Sequence, residues 1–163
     1  MSFHQQLKNK IVSKEDALHK INAQKLMGKK IVFTNGCFDI IHPGHVDYLS
    51  QARDLGDFLI LGLNTDNSVK HLQKAPNRPI NNEQARAIVL AALASIDLIV
   101  LFDEETPYEL IKFLQPNILV KGNDYEVEKI VGYDVVTANG GKVITIPFLE
   151  GFSTTNLIKK ILS

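Results

Sequence analysis

Lys30-Ile31-Val32-Phe33-Thr34-Asn35-Gly36-Cys37-Phe38-Asp39, followed by His42-Pro43-Gly44-His45, is the stretch that decides the fold. Residues 30–34 form an apolar run, the pattern of a strand covered from above and below. Asn35 and Gly36 turn that run into a loop. Pro43 then suits the first turn of a helix, where a missing N–H is no loss. Strand, loop and helix in this order make half of a βαβ unit.

The same alternation repeats outward from this stretch. Residues 58–64 (FLILGLN) read as a second strand, and 97–102, 117–120 and 142–147 as the third, fourth and fifth. Between them lie a helix from Pro43 to near Gly56, a short helix after Asp66 and an alanine- and leucine-rich helix over 82–94. Thr106-Pro107-Tyr108-Glu109 is a strong helix start, with Thr as cap and Glu109 completing the box. A short helical region over 125–138 ends at Gly140-Gly141, and a closing helix covers 153–162. Upstream, Ser13-Lys14-Glu15-Asp16 resembles a capping box that opens a helix running to about Met27. The expected architecture is a single doubly wound, Rossmann-like α/β domain over residues 29–163, with a parallel sheet of about five strands, behind an N-terminal helical segment 1–28. Ligands of such sheets bind beyond the carboxyl ends of the strands, where strand order reverses. That points to the loop after the first strand.

Composition narrows the partners. Lys plus Arg and Asp plus Glu both count 18, so the net charge is zero and gives no global field for nucleic acid or anionic membrane. No run of about 18 apolar residues predicts a membrane span, and Met1-Ser2-Phe3-His4 lacks the apolar core of a signal peptide. The lone cysteine, Cys37, cannot form an internal disulfide. The expectation is a cytoplasmic protein that handles small molecules, without nucleic-acid or membrane partners.

Two segments carry phosphate chemistry. In the first, Gly36 lets the backbone turn tightly, and Gly44 removes a side chain at the start of a helix whose N–H groups and dipole suit an anion. His42 and His45 flank that helix start. They read as a cap and a surface residue, as two donors to one anion, or as a metal pair that lacks further ligands beyond Cys37. For Cys37 itself the pattern favours a small buried residue. Neither a P-loop nor a G-x-G-x-x-G fingerprint occurs. In the second segment, Gly151-Phe152-Ser153-Thr154-Thr155-Asn156, three hydroxyls precede the closing helix, either as a plain N-cap or as a second phosphate site. Lys70, Lys74, Arg78 and Lys121 fall at or beyond strand ends, and Arg86 lies on the helix over 82–94. Asp39 reads as a loop holder or as a ribose or metal contact. Asp66 reads as a cap or a sugar contact, and Asp124 with Tyr125 as a substrate contact.

The H-x-G-H element resembles that of the nucleotidyltransferase superfamily, which shares it with class I aminoacyl-tRNA synthetases. The resemblance runs from Lys29 to the end of the chain. Its details are most similar to the adenylyltransferase domains of bacterial ADP-heptose synthases. They are carried by Thr34-Asn35-Gly36-Cys37-Phe38-Asp39, His42-Pro43-Gly44-His45, Leu119-Val120-Lys121-Gly122-Asn123-Asp124-Tyr125, Ala138-Asn139-Gly140-Gly141 and Ser153-Thr154-Thr155-Asn156. The resemblance implies transfer of AMP from ATP, with Mg2+, to a sugar 1-phosphate, D-glycero-β-D-manno-heptose 1-phosphate. It implies that His42, His45, Lys70 and Arg86 serve catalysis, and that Asn35, Gly36, Phe38, Asp39, Gly44, Ser153, Thr154 and Thr155 bind the nucleotide. Asp66, Lys121 and Asp124 are then expected to face the acceptor, with no protein-bound metal. It further implies a homodimer and a separate sugar kinase upstream, because 163 residues leave no room for one. Related cytidylyltransferases for glycerol 3-phosphate or other polyol phosphates carry an arginine in RTxGIST, where this chain reads Pro147-Phe148-Leu149-Glu150-Gly151-Phe152. A nucleotide-binding sensor without enzymatic activity is the remaining alternative.

Overall fold

In a computed structural model, residues 1–72, 77–124 and 126–163 are described. Their elements run α1 (Phe3–Lys8), β1 (Ile11–Val12), α2 (Lys14–Leu26), β2 (Ile31–Gly36), α3 (Pro43–Asp54), β3 (Phe58–Asn64), α4 (Asp66–His71), α5 (Glu83–Ala91), β4 (Leu98–Phe102), α6 (Tyr108–Leu114), β5 (Ile118–Gly122), α7 (Tyr133–Ala138), β6 (Lys142–Ile146) and α8 (Thr154–Leu162). The strands form one sheet in the order β1-β4-β3-β2-β5-β6, parallel throughout.

Period-two alternation explains why the strands are apolar almost throughout. Ile31, Phe33, Ile60 and Leu119 point into one core with Ile21 of α2, Ile111 of α6 and Val136 of α7. Val32, Leu59, Leu61 and Val120 point into the other, with Leu49 and Ala52 of α3 and Leu90 of α5. Helices therefore cover both faces, as the alternation predicts.

The sheet has six strands, not five. The additional one is β1, whose Ile11 and Val12 pair with Ile99 and Val100. A two-residue edge strand shows no periodicity to read, and it hides directly before the Ser13 cap. That cap forms as expected, since Ser13 Oγ accepts from the Asp16 amide at 3.1 Å. The start of α6 differs: Pro107 is the N-cap with no side-chain cap bond, so Thr106 and Glu109 do not make a box. Among the described residues, no helix is long and apolar enough to cross a membrane.

Strand order sets the position of the cleft. From β2 the chain steps to β3 and β4 on one side, then crosses to β5 and β6 on the other. β2 and β5 pair only at Val32–Ile118 and Phe33–Leu119. Beyond that point they part, and the crevice opens between their carboxyl ends.

Candidate active site

Thr34 sits where the β2–β5 ladder stops. Its buried hydroxyl lies 2.8 Å from Tyr48 Oη and donates to Val120 O at 3.0 Å. One side chain thus ties β2, β5 and α3 together under the crevice. Burial pushes the Tyr48 phenol up to about 12, against the opposing Thr34 bond. Beyond Thr34 the backbone turns sharply. Phe38 adopts a left-handed conformation (φ 46°), and its ring leaves 2.8 Å for any Cβ at Gly36. A side chain at 36 would collide with that ring, which accounts for the glycine.

His42 occupies the N-cap of α3 with extended backbone and no side-chain cap bond. Its ring stacks on His45, with centroids 3.8 Å apart and 22° between planes. The Nδ1 atoms of both rings are buried and meet no hydrogen-bond partner among the described residues. Burial, then the charges of His42 and Arg78, hold the His45 imidazole down to about 4 despite a bond to the Ile40 backbone. Burial lowers His42 as well. The rings are thus neutral at pH 7, each with one nitrogen as donor and the other as acceptor. A buried polar atom without a partner costs about 1–3 kcal/mol. Both nitrogens lie at the head of α3, and a helix N-terminus suits an anion. The Gly44 N–H, in the first turn of α3, has no intrahelical acceptor. A Cβ at Gly44 would lie 3.0 Å from the His42 ring and 3.1 Å from Phe152 Cβ.

The second helix end faces the first. Ser153 caps α8 by accepting from the Asn156 amide at 3.0 Å, so the capping alternative holds for that hydroxyl. Thr154 Oγ1 reaches Ile40 O at 3.5 Å, and the Phe152 ring lies 6.3 Å from His42. Both ends, with Asn35, Lys121 and Asp124, wall one cleft of about 630 Å3. Lys121 Nζ donates to Asn35 Oδ1 at 3.0 Å.

Twelve of the fifteen residues expected at the site line this cleft; Lys70, Arg86 and Asp66 do not. Lys70 is exposed in the last turn of α4. Arg86, 1% exposed, donates to Cys37 O, Asn81 O and Asp66 Oδ1 at 2.7, 3.0 and 2.8 Å. Its guanidinium holds the cleft floor from behind rather than facing a phosphate. Asp66 is spent on that pair, and Thr65 caps α4 in its place. Asp39 lines the cleft but is committed: it accepts from the Ile80 and Asn81 amides at 2.8 Å each, and Arg78 Nε lies 2.7 Å from Oδ2. Lys74 and Tyr125 fall outside the described residues.

Tyr48, Phe148 and Phe152 also line the cleft and went unassigned in the sequence. Tyr48 had a signal, since it stands one turn beyond His45. Phe148 had none: its ring occupies the space a Cβ at Gly122 would take, a contact that only the fold reveals.

A parallel sheet whose switch point opens between two helix N-termini belongs to the Rossmann-like α/β proteins. The profile of the cytidylyltransferase-like family matches residues 33–160, and the chain belongs to that family. It is 55% identical over 152 residues to the bifunctional protein HldE of Caulobacter vibrioides, covering 93% of this chain but 31% of that protein. With HldE of Trichlorobacter lovleyi it shares 52% over 159 residues, 98% of this chain and 32% of that one. The chain thus spans about a third of the length of these curated relatives. Among solved structures, a lipopolysaccharide core biosynthesis protein from Thermoplasma volcanium superposes with a TM-score of 0.64 at 26% identity, over 76% of this chain and all of that one. A pantoate-beta-alanine ligase from Francisella tularensis shares the fold, at a TM-score of 0.53 and 16% identity over 91% of this chain and 75% of that one.

Proposed function

We propose that this chain is an adenylyltransferase that moves AMP from ATP to D-glycero-β-D-manno-heptose 1-phosphate, giving ADP-heptose and pyrophosphate. The observation that carries the reading is the pair of helix N-termini facing each other across one cleft, the first bearing two neutral, stacked imidazoles. Similarity to HldE proteins above 50% identity supports the heptose acceptor.

A phosphate monoester is already a nucleophile, so the site needs no strong base. One of its oxygens attacks the α-phosphorus, and the bond from that phosphorus to the β-bridging oxygen breaks. Pyrophosphate leaves with the electron pair. Positioning and electrostatics carry such a transfer. His42, His45 and the Gly44 amide meet charge as it develops on the α-phosphate. Ser153, Thr154 and Thr155 hold the distal phosphates, Asn35, Gly36, Phe38 and Asp39 shape the nucleotide wall, and Lys121 and Asp124 face the sugar. Mg2+, when bound, would neutralise charge on the leaving pyrophosphate. Among the described residues, no group of three or more His, Cys, Asp or Glu could hold a metal ion. A cytoplasmic location, a homodimer and a separate sugar kinase complete the proposal, and size-exclusion chromatography with light scattering tests the dimer.

A matrix of nucleoside triphosphates against sugar and polyol phosphates, read by pyrophosphate release, tests the function. Turnover is expected with ATP and the heptose 1-phosphate. Strong activity only with CTP and glycerol 3-phosphate would sink the assignment, and no turnover with any pair would leave a binding protein.

A further inference from the structure

The geometry points to Arg78 as the residue that binds the phosphate of the acceptor and presents it to the α-phosphorus. This rests on the transfer reaction proposed above and assigns its missing cation. That reaction brings together two anions, a triphosphate and a phosphate monoester. Of the cations expected to meet them, Lys70 is exposed on α4, Arg86 is consumed behind the cleft floor, and Lys121 stands in the cleft wall donating to Asn35 Oδ1. Arg78 lines the cleft, with its side chain only 12% exposed.

Three features argue that its charge faces a ligand. First, Asp39 Oδ2 touches only the Nε edge, at 2.7 Å. The Nη edge, a planar fork suited to phosphate oxygens, has no other ion-pair partner among the described residues. Second, Asp39 does not fully compensate Arg78. Its carboxylate accepts the Ile80 and Asn81 amides, whereas Arg78 Nε, 2.7 Å from Oδ2, makes no hydrogen bond to it. A guanidinium buried beside a half-committed carboxylate is costly to hold in place without an anion. Third, its position is fixed. Asp39 and the Asn81 side chain, which donates to Asp39 O at 3.0 Å, clamp the segment that carries it. In the same cleft the reaction gives the α-phosphate to His42 and His45 and the distal phosphates to the Ser153 end. The anion left for Arg78 is the acceptor's.

Steady-state kinetics on the full chain, with ATP and the heptose 1-phosphate, tests this. Arg78→Ala should raise KM for the sugar phosphate about ten- to a hundredfold, the range for a lost bond to a charged group, with KM for ATP within about twofold. Arg78→Lys, which keeps the charge but loses the fork, should recover only part. An increase confined to KM for ATP, or no change in either, overturns the assignment. If the wild-type chain turns over no acceptor, the reaction is wrong, and calorimetric binding of inorganic phosphate still judges Arg78: equal affinity in wild type and Arg78→Ala rejects it. Should Arg78→Ala fail to fold, as judged by circular dichroism, the same criteria apply to Arg78→Gln and Arg78→Lys.

Discussion

The two helix ends that face each other across the cleft are built on opposite plans. At α3, His42 leaves the N-cap without a side-chain bond, and the helix buries Tyr48, Leu49 and Ala52. At α8, Ser153 satisfies the cap and the helix buries no residue, with Ile161 and Leu162 74% and 81% exposed. The first end is rigid in position and unsatisfied in chemistry. The second is satisfied in chemistry and loosely held. Developing charge on the α-phosphate calls for donors that do not reorganise. A leaving group calls for a binder that can release, and elements with few buried contacts open most easily. Packing separates the two ends as much as residue type does.

The sharpest way to break this comparison is His45→Ala. Loss of one preorganised donor should lower kcat about 10²- to 10³-fold. The thermal midpoint should hardly fall, because the substitution also removes a buried nitrogen that lacks a partner. Near-normal turnover would show that the α3 end is only structural.

Gly44→Ala probes the seam between the two ends. The new Cβ would press on the His42 ring at 3.0 Å and on Phe152 Cβ at 3.1 Å. Both contacts must yield by a few tenths of an ångström, displacing the imidazole and the approach to α8. A drop in kcat/KM of about tenfold is expected from such misplacement. An unchanged value would mean that the ends are mechanically independent.

Ser153→Ala should act more mildly. It removes a cap worth about 1 kcal/mol to the helix and one hydroxyl from the distal-phosphate wall. KM for ATP should rise about threefold, by the same arithmetic discounted for a helix end open to solvent. Amide exchange in α8 should quicken while the global melt stays put, since no buried residue couples α8 to the core. A fall in the global midpoint would contradict the loose docking of α8.

This contrast was only half legible in the sequence. The apolar runs at 31–34 and 58–64 announce buried parallel strands, and His42-Pro43-Gly44-His45 announces a helix start at a strand end. Ser153 and Gly44 fell where local chemistry put them. The exceptions were decided by long-range partners. Arg86 looks like an exposed helix cation until the fold brings Cys37 O and Asp66 to it. Asp39 looks like a ligand contact until residues 78–81 fold over it. β1 escapes because two residues carry no period. Spacing identifies a group that can act, whereas tertiary pairing decides whether it is still available.

The smallest effect separates the two ends by pH. His45 is held at about 4 in the folded chain, mainly by burial, against about 6.5 when unfolded. Between these values the unfolded state binds a proton that the folded state does not, so stability falls as pH drops from about 6.5 toward 4 and is unaffected above that window. His42, lowered in the same way, adds to the same slope. Residues 153–162 contain no His, Asp or Glu, so local opening of α8 should not vary over that window. Urea unfolding at pH 7 and pH 5 should show a lower midpoint at pH 5, and His45→Ala should reduce the difference. An undiminished slope in the variant would place the titration elsewhere and remove the case for a half-buried, neutral imidazole at the head of α3.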